Sequence, residues 1–175
     1  MWLTRLKKAS AEVTDGQQHQ LLYGFFKDNK PSTRPFCFKD MGDELLMLSN
    51  IPPSTTSQEM HFTDGQVLMF ECRASINNRN HQGRTIKSHQ FTSKHVKEWF
   101  KRRLSDGACV DFVSFKSLAP HKVYKNDGTE MIFDQKIFYG TLTVTNAKRF
   151  EEILAVGIGR GCAFGFGLVY LPQVM

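Results

Sequence analysis

Three groups of residues have the types and spacing that chemistry needs. His19 precedes Tyr23 by four residues and Leu22 by three, so a helix through this stretch sets all three along one side. An imidazole and a phenol so placed can exchange protons with a ribose 2′-OH and a leaving 5′ oxygen. Metal-free RNA cleavage needs those two groups and a cation on the phosphorane. The same spacing also describes a surface histidine beside a core tyrosine, and on residue pattern alone that plainer reading stands ahead. The second group is basic: Arg73 to Arg103 holds nine Lys or Arg residues and a single acid, Glu98. Arg73, Arg79, Arg84, Lys87, Arg102 and Arg103 are the candidate contacts to a phosphate backbone, whereas Lys97 and Lys101 flank Glu98 as a solvated helix face would. The third group is Gly157, Gly159, Arg160, Gly161, Gly165 and Gly167. Five glycines in so short a run let a backbone approach another chain closely and turn several N–H groups toward an anion. A tight turn relieving close packing is the alternative, and the arginine inside the run favours nucleic-acid contact. It is not a dinucleotide fingerprint, because it leads from a helix into a strand.

Composition bounds the partner. The chain has 175 residues, a formal charge of +6 and a pI near 9.2, which suits an anionic ligand. Its cysteines, at 37, 72, 109 and 162, form no Cys-x-x-Cys pair and read as reduced, mostly buried thiols. Histidines at 19, 61, 81, 89, 95 and 121 share no helical metal-binding spacing, so no metal or cofactor is expected. The opening residues alternate apolar and polar without the unbroken apolar core of a signal peptide, and no stretch reaches membrane-spanning length. A cytoplasmic protein without a membrane partner is expected.

The elements that must position these groups follow from periodicity and caps. Trp2, Leu3 and Leu6 begin a strand, and a helix opened by Thr14 or Asp15 runs through Leu21 to Phe26. Strands follow near 36–39 and 44–49 around the turn Asp40-Met41-Gly42-Asp43. A Pro, Ser and Thr-rich stretch, 51–57, stands where a second helix would, before a strand over 58–62. After the turn Thr63-Asp64-Gly65-Gln66, a strand from Val67 to Arg73 sends Val67, Met69 and Ala74 off one side. Helix 92–104 has Thr92 as N-cap and Val96, Trp99, Phe100 and Leu104 on its apolar face. Strands over 109–116 and 136–145, a helix capped by Asn146 with Gly157 at its exit, and a strand over 166–171 complete the pattern. The spacing predicts an α+β fold of two tandem ferredoxin-like (β-α-β-β-α-β) units, residues 1–64 in abbreviated form and residues 65–175 as an RRM-like unit carrying the glycine loop.

At this point a resemblance enters. Met1-Trp2-Leu3-Thr4-Arg5-Leu6, Phe70-Glu71-Cys72-Arg73-Ala74-Ser75, Glu98 to Leu104, Phe138-Tyr139-Gly140-Thr141-Leu142 and the run Gly157 to Leu168 resemble motifs of the CRISPR-associated repeat endoribonucleases of type I-E Cascade, the CasE family, over nearly the whole length. The last of these is the most specific. The resemblance implies that the chain binds the repeat hairpin of precursor CRISPR RNA, cuts it without metal, and stays bound as a subunit of a Cascade-type effector complex. It also brings a departure: the family's first helix carries Tyr-x-x-His, and the corresponding stretch here is His19-Gln20-Leu21-Leu22, so the expected catalytic position is Leu22. Either His19 takes over the proton transfer with Tyr23 beside it, or the chain holds its hairpin without cutting. Lys116, Lys122 and Lys136 remain open as the transition-state cation. A ferredoxin-like phosphate-binding enzyme or sensor is the rival from another class. A continuous positive groove joining Arg73, Arg160 and the Arg102-Arg103 pair would exclude it.

Overall fold

The computed structural model describes residues 1–8, 15–29, 34–76, 78–79, 85–86, 91–125 and 128–175. Alternating apolar residues make Trp2–Lys7 strand β1, and Asp15–Tyr23 follows as helix α1, continued by a 3-10 turn over Gly24–Asn29. Two strands, β2 (Phe36–Asp40) and β3 (Glu44–Ser49), are then joined at Gly42, whose φ of 98° the turn requires. The stretch after Ser49 forms no helix, and β4 is only Gln58–Glu59, paired with Trp2 and Leu3, shorter than the strand to Phe62 that the sequence suggests. Phe62 instead turns into the core and meets Phe150 edge-on at 5.2 Å, which removes it from the ladder.

The second half restarts at β5 (Val67–Ser75), followed by the short strands β6 (Asn78–Arg79) and β7 (Thr85–Ile86), paired with each other inside the stretch the sequence marks as a polar loop. Helix α2 (Ser93–Leu104) is capped as expected: the Thr92 hydroxyl accepts the His95 N–H, and Val96, Trp99, Phe100 and Leu104 are buried. Strand β8 (Ala108–Ser117) leads to a hairpin that periodicity did not reveal, β9 (His121–Tyr124) with β10 (Glu130–Phe133). Then come β11 (Gln135–Val144) and helix α3 (Ala147–Val156), whose N-cap Asn146 accepts the Arg149 N–H. A 3-10 turn over Cys162–Phe164 and β12 (Val169–Tyr170) close the chain. β12 is shorter than the strand expected over 166–171, because the residues before it belong to the glycine loop.

The two main sheets carry the same order, β2-β3-β1-β4 in the first and β12-β5-β11-β8 in the second, each antiparallel. Reading each half from its own first strand gives 4-1-3-2, the ferredoxin-like arrangement, present twice. The first sheet is covered on one side by α1, where Leu22 and Phe26 pack with Phe36, Phe38, Leu45 and Met47. Its other side, with Leu3, Cys37, Leu46 and Leu48, enters one core with Phe150, Leu154 and Ala155 of α3 and with β5. Phe100 stacks between Phe70, at 5.0 Å, and Phe138, at 4.4 Å, which fastens α2 to the second sheet. Each of these buried side chains contributes roughly 1.5–3 kcal/mol on transfer from water. Ala74 faces this core, opposite to exposed Val67 and Met69, since strand side chains alternate and its position differs from theirs in parity.

Candidate RNA-cleavage site

His19 lies on α1 with its ring against three aromatic rings: Tyr23 edge-on at 5.0 Å, Phe36 at 5.5 Å and Phe38 at 6.5 Å. Burial and, to a lesser extent, the nearby Arg34 guanidinium hold its pKa below 6.5, so the imidazole is neutral at pH 7. A neutral imidazole is the form able to take a proton. Its Nε2 is buried with no hydrogen-bond partner, and Arg34 Nε is orphaned in the same way. Two neighbouring side chains thus each carry an unsatisfied polar atom, a condition that costs free energy unless a ligand or a small movement completes it. Leu22, where the family resemblance expects the histidine, is fully buried against the first sheet. Nothing at that position reaches a substrate.

Arg34 is a charged neighbour of the site that sequence reasoning did not single out. It stands between Pro31 and Pro35 in a stretch without periodicity, and the packing of β2 beside α1 sets its charge near enough to lower the His19 pKa. Its Nη2 donates to the Val156 carbonyl at 2.7 Å, the point where α3 ends and the glycine loop starts. Among the three lysines left open, Lys136 is buried with its Nζ on the Ser117 hydroxyl at 2.9 Å, and burial lowers its pKa. Lys116 is exposed on β8. Lys122 pairs with Glu130 at 3.2 Å on β9, a strand that lies against α1.

The glycine loop is built against both halves. Gly157, Gly159, Gly161, Gly165 and Gly167 all have positive φ. A Cβ on Gly157 would fall 2.4 Å from Cys37 Sγ, and one on Gly167 would fall 2.4 Å from the Ile158 carbonyl oxygen, so these two serve close packing. The N–H groups of Gly157, Ile158, Arg160 and Gly167 are engaged by Ile153, Gly167, Ser75 and Arg73 carbonyls. Those of Gly159 and Gly161 have no backbone partner among the described residues. The loop's 3-10 turn lies against α1, and Gly165 borders Phe38, a ring that also stacks on His19.

The structure brings some of the expected basic residues to this loop and leaves others apart. The Arg73 guanidinium lies over the Phe166 ring at 4.5 Å, and its carbonyl accepts the Gly167 N–H at 2.8 Å. Arg160 bridges to Ser75, the end of the strand that carries Arg73. Arg103 lies over Trp99 at 5.5 Å, and Trp99 in turn borders Gly159. A cleft of about 400 Å³ beside the loop is lined by Arg103, Arg149, Asp106, Glu152, Gly157 and Gly159. Arg102 points to a different cleft, with Lys101 and Cys109. Arg73, Arg160 and Arg103 thus each border the loop or a residue packed on it, while Arg102 lines the other cleft. Arg84 and Lys87 lie outside the described residues, as does the side chain of Arg79.

Fold and site define a protein of two ferredoxin-like units in which a neutral histidine, a tyrosine and an arginine stand against a glycine loop shared by both halves. A family model described as CRISPR associated protein matches residues 1–172, and the chain belongs to that family. No curated protein matches it. Among solved structures it is similar to the CRISPR-associated protein Cas6e of Escherichia coli K-12, with 24% identity, 98% of each chain covered and a TM-score of 0.70. The CRISPR endoribonuclease Cse3 bound to a 19-nucleotide RNA aligns with 20% identity, 98% of this chain and 99% of that one, and a TM-score of 0.78. A chain of E. coli Cascade bound to a double-stranded DNA target aligns with 23% identity, 98% of each chain and a TM-score of 0.61. At these identities the likeness establishes the fold. Among the described residues no helix is long and apolar enough to cross a membrane.

Proposed function

We propose that this protein binds the hairpin of a CRISPR repeat RNA, cleaves it without a metal ion by attack of the ribose 2′-OH, and stays bound as a subunit of a Cascade-type effector complex. The observation that carries the reading is the neutral His19 imidazole held edge-on to Tyr23 at 5.0 Å beside the Arg34 cation. The reaction divides among these groups. His19 takes the 2′-OH proton, the 2′ oxygen forms a bond to phosphorus, and the bond from phosphorus to the 5′ oxygen breaks as Tyr23 supplies its proton. Arg34 offsets the charge on the phosphorane oxygens. The products are a 2′,3′-cyclic phosphate and a 5′-OH. Arg73, Arg160 and Arg103, with the open N–H groups of Gly159 and Gly161, are the phosphate contacts that hold the hairpin.

A second reading has its own support: Leu22 is fully buried where the family resemblance expects a histidine, which fits a subunit that holds its hairpin uncut. One experiment separates the two. The protein is incubated with its cognate repeat hairpin in EDTA and scored on native and denaturing gels. Cleavage leaving a 2′,3′-cyclic phosphate supports the ribonuclease; a shifted but intact hairpin supports the holder; no shift removes both.

The role of Arg34 is open to a finer test. Arg34→Ala is expected to slow cleavage by about 10²–10³-fold, the usual effect of losing one group that stabilises a developing charge. Hairpin affinity should change only a few-fold. Because Arg34 helps lower the His19 pKa, the acid limb of the pH–rate profile should also move to higher pH in this variant, whereas a merely structural arginine would leave that limb in place.

A further inference from the structure

The outer face of the second sheet carries side chains that the cleavage chemistry does not use. Met69 is 51% exposed, Phe112 58% and Tyr139 46%. Strand register sets Met69, Thr141 and Phe112 on one rung, Glu71, Tyr139 and Ser114 on the next, and Arg73, Ile137 and Lys116 on the third. The aromatic positions are fixed by backbone. β8 bulges opposite Thr141 and Leu142, and Gly140 lets β8 come so close that an added Cβ would lie 1.9 Å from the Phe112 carbonyl oxygen. Large apolar side chains exposed in register, rather than scattered, mark a binding surface.

We propose that this face is a stacking platform for single-stranded RNA running on from the repeat hairpin, an inference that extends the RNA-binding reading above. Tyr139 on the central strand β11 and Phe112 on the adjoining edge strand β8 present exposed rings on which successive bases stack whatever their sequence. The charges around them suit a phosphate backbone. Arg73 and Lys116 form the rung beside Tyr139, while the two acids of the face are engaged, Glu71 by Lys39 at 2.6 Å and Asp111 by the Thr143 hydroxyl at 2.8 Å. The platform also runs without a break into the glycine loop, since Arg73 lies on both: its carbonyl takes the Gly167 N–H and its guanidinium covers Phe166. A rung with two cations next to the aromatic one favours RNA over an apolar protein segment.

The test uses the full chain with two probes in EDTA, fluorescein-labelled decauridine and the cognate hairpin trimmed of single-stranded flanks. Decauridine should bind by fluorescence anisotropy, and Tyr139→Ala and Phe112→Ala should each weaken it about tenfold, the size expected for one lost stacking partner. Tyr139→Phe, which keeps the ring, should bind as the parent does. The trimmed hairpin should bind all four proteins equally, which also controls for folding, and ultraviolet cross-links from decauridine should map to Tyr139 or Phe112. Decauridine binding that is absent or indifferent to both alanine substitutions overturns the platform, as do cross-links elsewhere or protection of Tyr139 and Phe112 only by another effector subunit. If decauridine binding depends on Tyr139 while the hairpin is not bound, the platform stands and the hairpin reading falls.

Discussion

Replacing His19 by alanine is expected to slow cleavage of the repeat hairpin by about 10²–10⁴-fold, the range supplied by a positioned proton-transfer group, while hairpin binding on a native gel is retained. The argument rests on protonation state. Burial of the ring against Phe36 and Phe38, with Arg34 adding to it, lowers the His19 pKa below 6.5 and keeps the base form at neutral pH. The parent's cleavage rate should therefore rise with pH along an acid limb whose midpoint lies below 6.5, then level off near neutrality. Residual cleavage in His19→Ala should lack that limb. A limb that survives the substitution would mean that another group is the base. Tyr23→Phe keeps the edge-on contact and removes only the phenolic proton, so it should bind normally and cut slowly. The same shift has a stability consequence with a definite sign. Between the folded pKa and 6.5 the unfolded chain binds more protons at this residue than the folded one, so stability increases with pH across that window and is lost as pH falls. His19→Gln should flatten that part of a stability–pH curve measured by urea unfolding.

Gly167→Ala is expected to be among the most destabilising single substitutions available outside the aromatic core. Gly167 has φ of 83°, and a Cβ there would meet the Ile158 carbonyl oxygen at 2.4 Å, the Cys162 sulfur at 2.8 Å and the Ile158 nitrogen at 3.0 Å. The left-handed backbone costs an ordinary residue about 1–2 kcal/mol and forced overpacking about 1–3 kcal/mol more. Two of the three atoms are backbone and cannot swing aside. The Gly167 N–H and carbonyl also join Arg73 on β5 to Ile158, so displacement would loosen the seam between the loop and the second sheet. The sum, about 3 kcal/mol, corresponds to a fall in Tm of about 6–12 °C for a chain of this size. Gly65→Ala is the matched control, with φ of 84° and nothing within 4 Å of its added Cβ, and should lose only the backbone part. Equal losses at the two positions in a thermal melt would refute the packing argument.

The order of elements was legible because the signals for it are local. Thr92 and Asn146 cap their helices as their positions suggest, the apolar spacing of Val96, Trp99, Phe100 and Leu104 marks the buried face of α2, and Gly157 ends α3 with φ of 77°. The strand-helix-strand sequence, read twice, already implied two ferredoxin-like sheets. The β9–β10 hairpin escaped because its four-residue strands, His121–Tyr124 and Glu130–Phe133, mix charged and apolar residues with too few turns of alternation to register. The strands expected over 58–62 and 166–171 were overextended because Phe62 and Phe166 look like strand residues but pack as anchors, one on Phe150 and the other under Arg73.

The candidate site divides along the same line. His19 with Tyr23, the glycine run and the basic character of the second half follow from residue types and helical spacing, which act over a few positions of chain. Which cation meets the imidazole does not. The Arg34 charge acts on His19 because β2 pairs with β3 and α1 lies across both, and Arg73 reaches Phe166 because β12 returns to β5. Burial, too, is decided by the sheets: Phe36 and Phe38 make His19 a neutral base, and the alternation of β5 and β11 leaves Met69 and Tyr139 facing solvent while Cys72 and Phe138 close the core. Short-range patterning thus selects the elements. Long-range pairing sets the electrostatics of the site, because desolvation and charge proximity depend on residues far apart in the chain and close in space.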